Sequence, residues 1–462
     1  MSKLPTLLAA SLLCIAQSAT AEPLSREIVI SRASADNAQN AAAQAQVDGA
    51  RALRAEADAA RWPQVTLRLG IGPSMRADLE PGTSVVSTEG TFEELGLNDL
   101  SAVFGGRLEV VQPLYTFGKI ALRQSAADHG IRAEEARAAI TAAEVALASA
   151  TLYETYLFAR DATRFFEEIE HTLNRSILAT QSRIDKGQTD VSEQDLFRLE
   201  TARSIARLGL SQARAGTEQA AAGLRAFIGL PANASIEVQD DRLLPLGDAS
   251  ASIDELIATT LEQRPELHAL SAGEAAYSKL AEAERAGYKP DFFVAGSLDV
   301  AYTPGREFSE SRYVVDPLGH FVPTLIVGLS WSLNGPTSGA RARKQEAEAL
   351  RLRKVREWAE SAFPAEVRVA ALDAKRARAD ITESTKALSS AKKWLVQASA
   401  DYAAGLADSK SLADSIEAYA TMRVANLDAI KRFNIAMATL AKVTGTLVAN
   451  ESTLYPGNGD SK

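Results

Sequence analysis

Residues 104–118 read Phe104-Gly105-Gly106-Arg107-Leu108-Glu109-Val110-Val111-Gln112-Pro113-Leu114-Tyr115-Thr116-Phe117-Gly118. From Lys119 to Asp185 the chain is then rich in Ala, Glu, Arg and Leu, with no proline and Gly130 as its sole glycine. The first part is a strand, Arg107 to Gln112, closed by Pro113. The second is a helix over 119–185 that, at the usual rise per residue, runs about 100 Å. Helices of ordinary globular domains average about 11–12 residues, so a strand that feeds a helix of this length belongs to an extended architecture.

The arrangement occurs twice. An Ala-rich helix expected over 36–61 ends at Trp62-Pro63, and one over 265–288 ends at Lys289-Pro290. After each proline come a strand, a polar loop (73–103 or 303–321), a second strand and a glycine turn. A very long helix (119–185 or 340–402), a further glycine and another helix (191–229 or 408–444) complete the unit. Landmarks match in order: Pro63 with Pro290, Gly118 with Gly339, Gly187 with Gly405, Gly229 with Gly445. In each copy the two shorter helices together match the long one in length, as in a three-helix strut on a two-stranded sheet. The expected organisation is 1–21 a signal peptide, 22–230 the first repeat, 231–262 a connector, 263–446 the second repeat and 447–462 a tail.

The strands alternate with period two. Val65, Leu67, Leu69 and Ile71 share one face against Gln64, Thr66 and Arg68. Phe292, Val294, Leu298 and Val300 oppose Phe293, Ala295, Ser297 and Asp299. Leu325, Val327, Leu329, Trp331 and Leu333 oppose Thr324, Gly328, Ser330 and Ser332. Such a pattern fits a half-buried soluble sheet or a transmembrane barrel wall, which needs strands of about 9–11 residues. Four strands cannot close a barrel, and lipid tolerates no open edge. Two copies would give eight strands and three would give twelve. An eight-stranded barrel is filled by its own side chains, so a conduit needs the wider ring. On the helices, Leu196, Leu199, Ala202, Ile205 and Leu208 read as a packing seam, and Pro364 is expected to kink or break the second long helix.

Net charge is −9, from 50 Lys+Arg against 59 Asp+Glu, with no basic stripe; this argues against a nucleic-acid partner. Aromatic residues make up only 6%, which suits thin helical packing better than a thick core. Lys3, the apolar run Leu7 to Ile15 and the small-x-small site Ala19-Thr20-Ala21 read as a secretory signal cut before Glu22. The only cysteine, Cys14, lies within it, so the mature chain uses neither disulfides nor thiol chemistry; the alternative is that Cys14 is a lipidation site, though Leu12-Leu13 stand where a small residue belongs.

Several stretches then carry a resemblance: Gln112-Pro113-Leu114-Tyr115 with Gly118, its counterpart Trp331-Ser332-Leu333 with Gly339, the helix end Leu224-Arg-Ala-Phe-Ile-Gly229-Leu-Pro231, and Arg432-Phe433-Asn434 leading to Leu440-Ala-Lys-Val-Thr-Gly445. In this order, over nearly all the mature chain, they resemble the outer-membrane efflux protein family, the TolC-like channels. The resemblance implies a mainly α fold with a β-barrel part. Three copies would share one twelve-stranded barrel in outer-membrane lipid and continue as a periplasmic α-helical tunnel. It also implies a homotrimer that meets an inner-membrane pump through a periplasmic adaptor, with no enzymatic activity and no cofactor.

The expected tips are Lys186-Gly187-Gln188 and Ala404-Gly405-Leu406, where glycine suits a turn between antiparallel helices. By resemblance, Tyr402 belongs to a gate, and the places of two acidic rings hold Ser411 and Asp414, with Glu193 the equivalent in the first copy. A ring of Asp414 carboxylates around a narrow axis would favour cations; the alternative for Asp414 and Glu193 is a solvated helix face. The family's gate arginine is replaced by Ala407, leaving Lys410 or Asp408 to contribute. Pro113, Gly118 and Gly339 are the expected strand–helix junctions. Glu168-Ile-Glu-His171 has the spacing of a di-iron ligand pair, but no second such pair exists. The competing functions are a periplasmic coiled-coil adaptor or scaffold without a barrel, and a helical-bundle enzyme, for which no site chemistry is present.

Overall fold

Four strands, β1 (Gln64–Met75), β2 (Leu100–Tyr115), β3 (Asp291–Tyr302) and β4 (His320–Ser330), form one antiparallel sheet in chain order. The computed structural model describes residues 23–75, 100–188, 191–304 and 316–447; the expected signal segment, most of both strand loops and the tail beyond Leu447 lie outside the described residues. Eight helices are found among these: α1 (Arg26–Asp36), α2 (Ala38–Ala59), α3 (Lys119–Asp185), α4 (Glu193–Phe227), α5 (Ile253–Gln263), α6 (Pro265–Ala286), α7 (Gly335–Ala403) and α8 (Ser409–Val443). The chain divides into two units. One holds residues 42–140 and 265–362, including the sheet; the other holds 23–41, 141–264 and 363–447.

In the sheet unit, register lines up large apolar residues of the four strands on one face. Successive cross-strand rows are Val65–Val110–Gly296–Leu325, Leu67–Leu108–Leu298–Pro323 and Leu69–Gly106–Val300–Phe321. The rows between them are polar except at Val322: Thr66–Glu109–Ser297–Thr324, then Arg68–Arg107–Asp299–Val322. On that polar face Arg107 donates to Asp299 at 2.8 Å, and Nε2 of His320 lies 3.3 Å from the same carboxylate. The apolar face is bare: Leu325 and Val327 are each 76% exposed. β1 and β4 each pair along only one edge among the described residues.

Two junctions differ from expectation. β2 does not stop at Pro113 but continues to Tyr115 through a register shift against β3. Because β1 begins opposite Val111, Pro113 lies beyond it, and its missing N–H costs no bond to that strand. Gly339 is not a junction: β4 ends at Ser330, so Trp331 and Leu333 lie past the strand, and α7 starts at Gly335. Asn334 supplies the carbonyl for the amides of Thr337 and Ser338, and Pro336 sits in the first turn, where its missing N–H has no helical partner to lose. Gly118, at φ +85°, does lie between β2 and α3.

The second unit is built around Tyr153, Leu157, Leu224, Leu427 and Phe433, all buried. A polar knot sits within it. The buried Arg26 pairs with Glu154, whose other oxygen accepts from Asn434 Nδ2 at 2.6 Å. Asn434 Oδ1 in turn accepts the Leu246 amide at 3.0 Å. The Arg432-Phe433-Asn434 stretch thus anchors the connector, which also contains α5. Burial pushes the Tyr153 hydroxyl well above the ordinary range, helped by its hydrogen bond to Asp240. α7 passes through Pro364 without breaking. Proline removes one N–H there, while Arg264 stacks 3.6 Å above the adjacent Phe363 ring and pairs with Glu366 at 2.6 Å, holding the helix on both sides.

The α4 seam also differs. Leu199 is buried, and Leu196 and Ala202 pack partly, but Ile205 and Leu208 are 60% and 61% exposed. Steps of three residues fall about 60° short of a full rotation each, so the series winds to the opposite face by Ile205. The true seam follows a seven-residue period: Gly209, Gly216 and Gly223 face Phe166, Ala159 and Leu152 of α3. A Cβ on Gly209 would lie 2.6 Å from the Phe166 ring.

Candidate functional site

Both hairpin tips end their helices through a glycine of positive φ, Gly187 at +69° and Gly405 at +73°. The amide of Gly187 reaches the Ile184 carbonyl at 2.8 Å and that of Gln188 the Arg183 carbonyl at 3.1 Å. At the second tip Gly405 donates to Tyr402 at 3.1 Å and Leu406 to Asp401 at 2.8 Å. This is the paired bonding that satisfies the last carbonyls of a helix. Lys186, Ala404 and Leu406 project at these turns, Leu406 being 81% exposed.

Tyr402 does not project. It is buried at the end of α7 among Leu173, Ile177, Leu199 and Leu412, with its hydroxyl hydrogen-bonded to Thr180 of α3. Arg183 completes a clasp. Its Nη1 donates to the Tyr402 main-chain oxygen at 3.1 Å, and its Nε donates to the Gln188 side chain at 3.1 Å. Nothing in the sequence marks Arg183, because its partners come from both tips.

A second clasp joins the first turns of α4 and α8. Ser192 and Asp195 form a capping box, with the Ser192 amide and hydroxyl each donating to Asp195 at 2.8 Å. The other oxygen of Asp195 accepts from the buried Ser409 hydroxyl, and Arg198 donates to the same hydroxyl at 3.1 Å. Burial favours the neutral carboxyl, but the donors from Ser409 and Ser192 outweigh it and hold Asp195 below its ordinary value. The spacing Ser192-x-x-Asp195 was the available signal for this site.

Glu193 is exposed at the start of α4, and Ser411 is half-buried in the first turn of α8, its amide bonded to the cap residue Asp408 at 3.0 Å. Asp414 is exposed on α8 and lines a groove of about 790 Å³ between α4 and α8, together with Lys410, Glu417, Arg198, Ile205 and Leu208. Glu193 and Tyr402 do not line this groove. His171 and Glu168 are exposed on α3, and no group of three or more metal-ligating side chains occurs among the described residues. No helix among the described residues is long and apolar enough to cross a membrane.

No family model matches the sequence, and no characterised protein matches it by sequence. Solved structures do match. The outer-membrane channel OprN aligns over 91% of this chain and 90% of its own, with TM-score 0.68 and 19% identity. The transmembrane channel protein CusC aligns over 91% and 92%, with TM-score 0.68 and 18% identity. The Campylobacter jejuni outer-membrane channel CmeC aligns over 91% and 86%, with TM-score 0.70 and 14% identity. The repeated strand-pair and long-hairpin chain is therefore the fold of the TolC-like outer-membrane channel subunit.

Proposed function

We propose that the protein is a subunit of an outer-membrane exit duct. The observation that carries this is the sheet, with one face presenting exposed Val65, Leu67, Leu69, Leu325 and Val327, the other carrying Arg68, Glu109, Arg107 and Asp299, and the outer edges of β1 and β4 unpaired among the described residues. A soluble sheet would cover that face with its own chain; a barrel wall turns it to lipid and pairs its edges with further copies. Three copies close twelve strands, and channels of the same fold are outer-membrane proteins. The helical part then lies in the periplasm, where the tips receive a periplasmic adaptor linked to an inner-membrane pump. Asp414, at the groove, with Glu193 and Ser411 nearby in the first turns, forms the constriction, and the two clasps hold it in its resting geometry. The duct is passive and needs no cofactor, since a wide aqueous passage only conducts what a pump delivers.

The test is reconstitution. The detergent-purified protein should run as a heat-modifiable trimer and conduct ions in planar bilayers. A detergent-free soluble monomer would instead support the coiled-coil scaffold.

A further inference from the structure

We infer that the helix-side rim of the apolar sheet face binds the phosphate headgroup of an anionic phospholipid, with Lys289 as the contacting cation. The inference rests on the membrane-spanning reading proposed above and adds a lipid class to it.

The rim is built from ring side chains. After the register shift in β2, Tyr115 pairs with Phe292 on the apolar face. Phe117 is held at φ +50°, a conformation few non-glycine residues adopt. Its ring packs 4.7 Å from Tyr115 and 6.3 Å from Phe292, extending the face beyond the strands. On the β4 side Trp331 Nε1 donates to the Tyr288 carbonyl at 2.8 Å, with the two rings 6.4 Å apart. Tyr115, Tyr288 and Trp331 remain 56%, 50% and 52% exposed. Rings with one polar end prefer the headgroup level of a bilayer.

Lys289 supplies the charge. It is exposed, its ammonium lies 5.8 Å from the Phe117 ring, and it makes no ion pair among the described residues. The neighbouring acid, Asp291, is already matched by Lys119 at 2.8 Å. Lys119 also donates to the Lys289 carbonyl at 2.7 Å, and the Lys289 amide reaches the Ala286 carbonyl at 2.8 Å, so the backbone beneath the cation is fixed. An unmatched ammonium on the border of a bare apolar face suits a ligand that offers phosphate and acyl chain together. A free phosphate would meet only one exposed lysine, which is worth little in water. One lysine at an anionic membrane surface contributes about a fivefold preference.

The test uses a full-length variant that keeps Trp331 as its only tryptophan, reconstituted in phosphatidylcholine vesicles containing either brominated phosphatidylglycerol or brominated phosphatidylcholine. Brominated phosphatidylglycerol should quench Trp331 at about one fifth of the mole fraction that brominated phosphatidylcholine needs. Lys289→Gln should abolish the difference and leave quenching by phosphatidylcholine intact. Equal quenching by both lipids, a preference that survives Lys289→Gln, or its loss on adding inorganic phosphate would overturn the lipid site. Absence of quenching by either lipid would instead reject the membrane-spanning reading itself.

Discussion

Arg183, near the end of α3, donates to the main-chain oxygen of Tyr402, near the end of α7, at 3.1 Å and lies over the same residue's ring at 5.7 Å. The carbonyl it engages also accepts the amide of Gly405, and the carbonyl of Arg183 itself accepts the amide of Gln188. One side chain therefore ties both tip turns together. A hydrogen bond from a charged donor contributes about 1.5–3 kcal/mol, enough to bias a resting geometry.

Arg183→Ala should loosen the tips. In planar bilayers the open fraction should rise severalfold, and spin labels placed at Lys186 and Leu406 should show a broader distance distribution. Lysine at this position keeps the charge but cannot serve Gln188 and Tyr402 at once, so Arg183→Lys should fall between wild type and alanine. Identical open fractions in all three proteins would remove Arg183 from the gate.

The second clasp makes a pH prediction. The folded pKa of Asp195 lies below its ordinary value of 3.8, so the ionised form is favoured by folding. The contribution of this carboxyl is thus fully present above the ordinary value and is lost only as pH falls through the lower folded value. Asp195→Asn should destabilise the tips at neutral pH. The difference between variant and wild type should shrink only at strongly acid pH, as measured by hydrogen exchange at the start of α4 and α8. A difference that already vanishes near pH 6 would contradict the hydrogen-bond network around Asp195.

Much of this fold was legible because its signals are local. Period-two alternation assigned the faces of β1, β3 and β4, and the absence of Pro over 119–185, with Gly130 as the sole glycine, set α3 at its observed bounds. The tips were legible because antiparallel turns need the backbone freedom of Gly187 and Gly405. What escaped depends on distant partners. Pro364 reads as a break until Arg264 and Glu366 are seen beside it, and Leu196 to Leu208 reads as a seam until the turn of the helix is followed. The tyrosine expected in a gate is buried because Thr180, far away in sequence, takes its hydroxyl. Nothing in the local sequence of either tip encodes that pairing.

Packing of α4 on α3 gives a stability prediction. Gly209→Ala places a methyl 2.6 Å from the Phe166 ring, so the ring or the helix must shift. Overpacking of this kind costs about 1–3 kcal/mol. Phe166→Leu in the same chain should recover part of it, a coupling visible in a double-mutant cycle of thermal unfolding. Additive effects of the two changes would mean that the α3–α4 contact is looser than described.

Asp414 is exposed on α8 and lies beside Lys410 and Glu417 in the groove lining. If it contributes to a constriction shared by several copies, Asp414→Ala should lower the cation preference of the pore, read as a shift of the reversal potential towards zero in a salt gradient. An unchanged reversal potential would make Asp414 a solvated side chain of the groove rim.

The sharpest test of the sheet uses two neighbours in sequence. Leu67 and Thr66 are both exposed in the single chain, but register places them on opposite faces, Leu67 in the row with Leu108 and Leu298, Thr66 in the row with Glu109 and Ser297. If the apolar face met only water, arginine would be tolerated equally at both positions. If it meets lipid, Leu67→Arg costs about 2–4 kcal/mol near the bilayer midplane, while Thr66→Arg points into an aqueous lumen. The expected outcome is loss of heat-modifiable protein from the outer-membrane fraction for Leu67→Arg and normal assembly for Thr66→Arg. Because the two residues share strand, exposure and sequence context, a difference between them reports which side of the sheet faces lipid, and equal behaviour would leave the barrel without support.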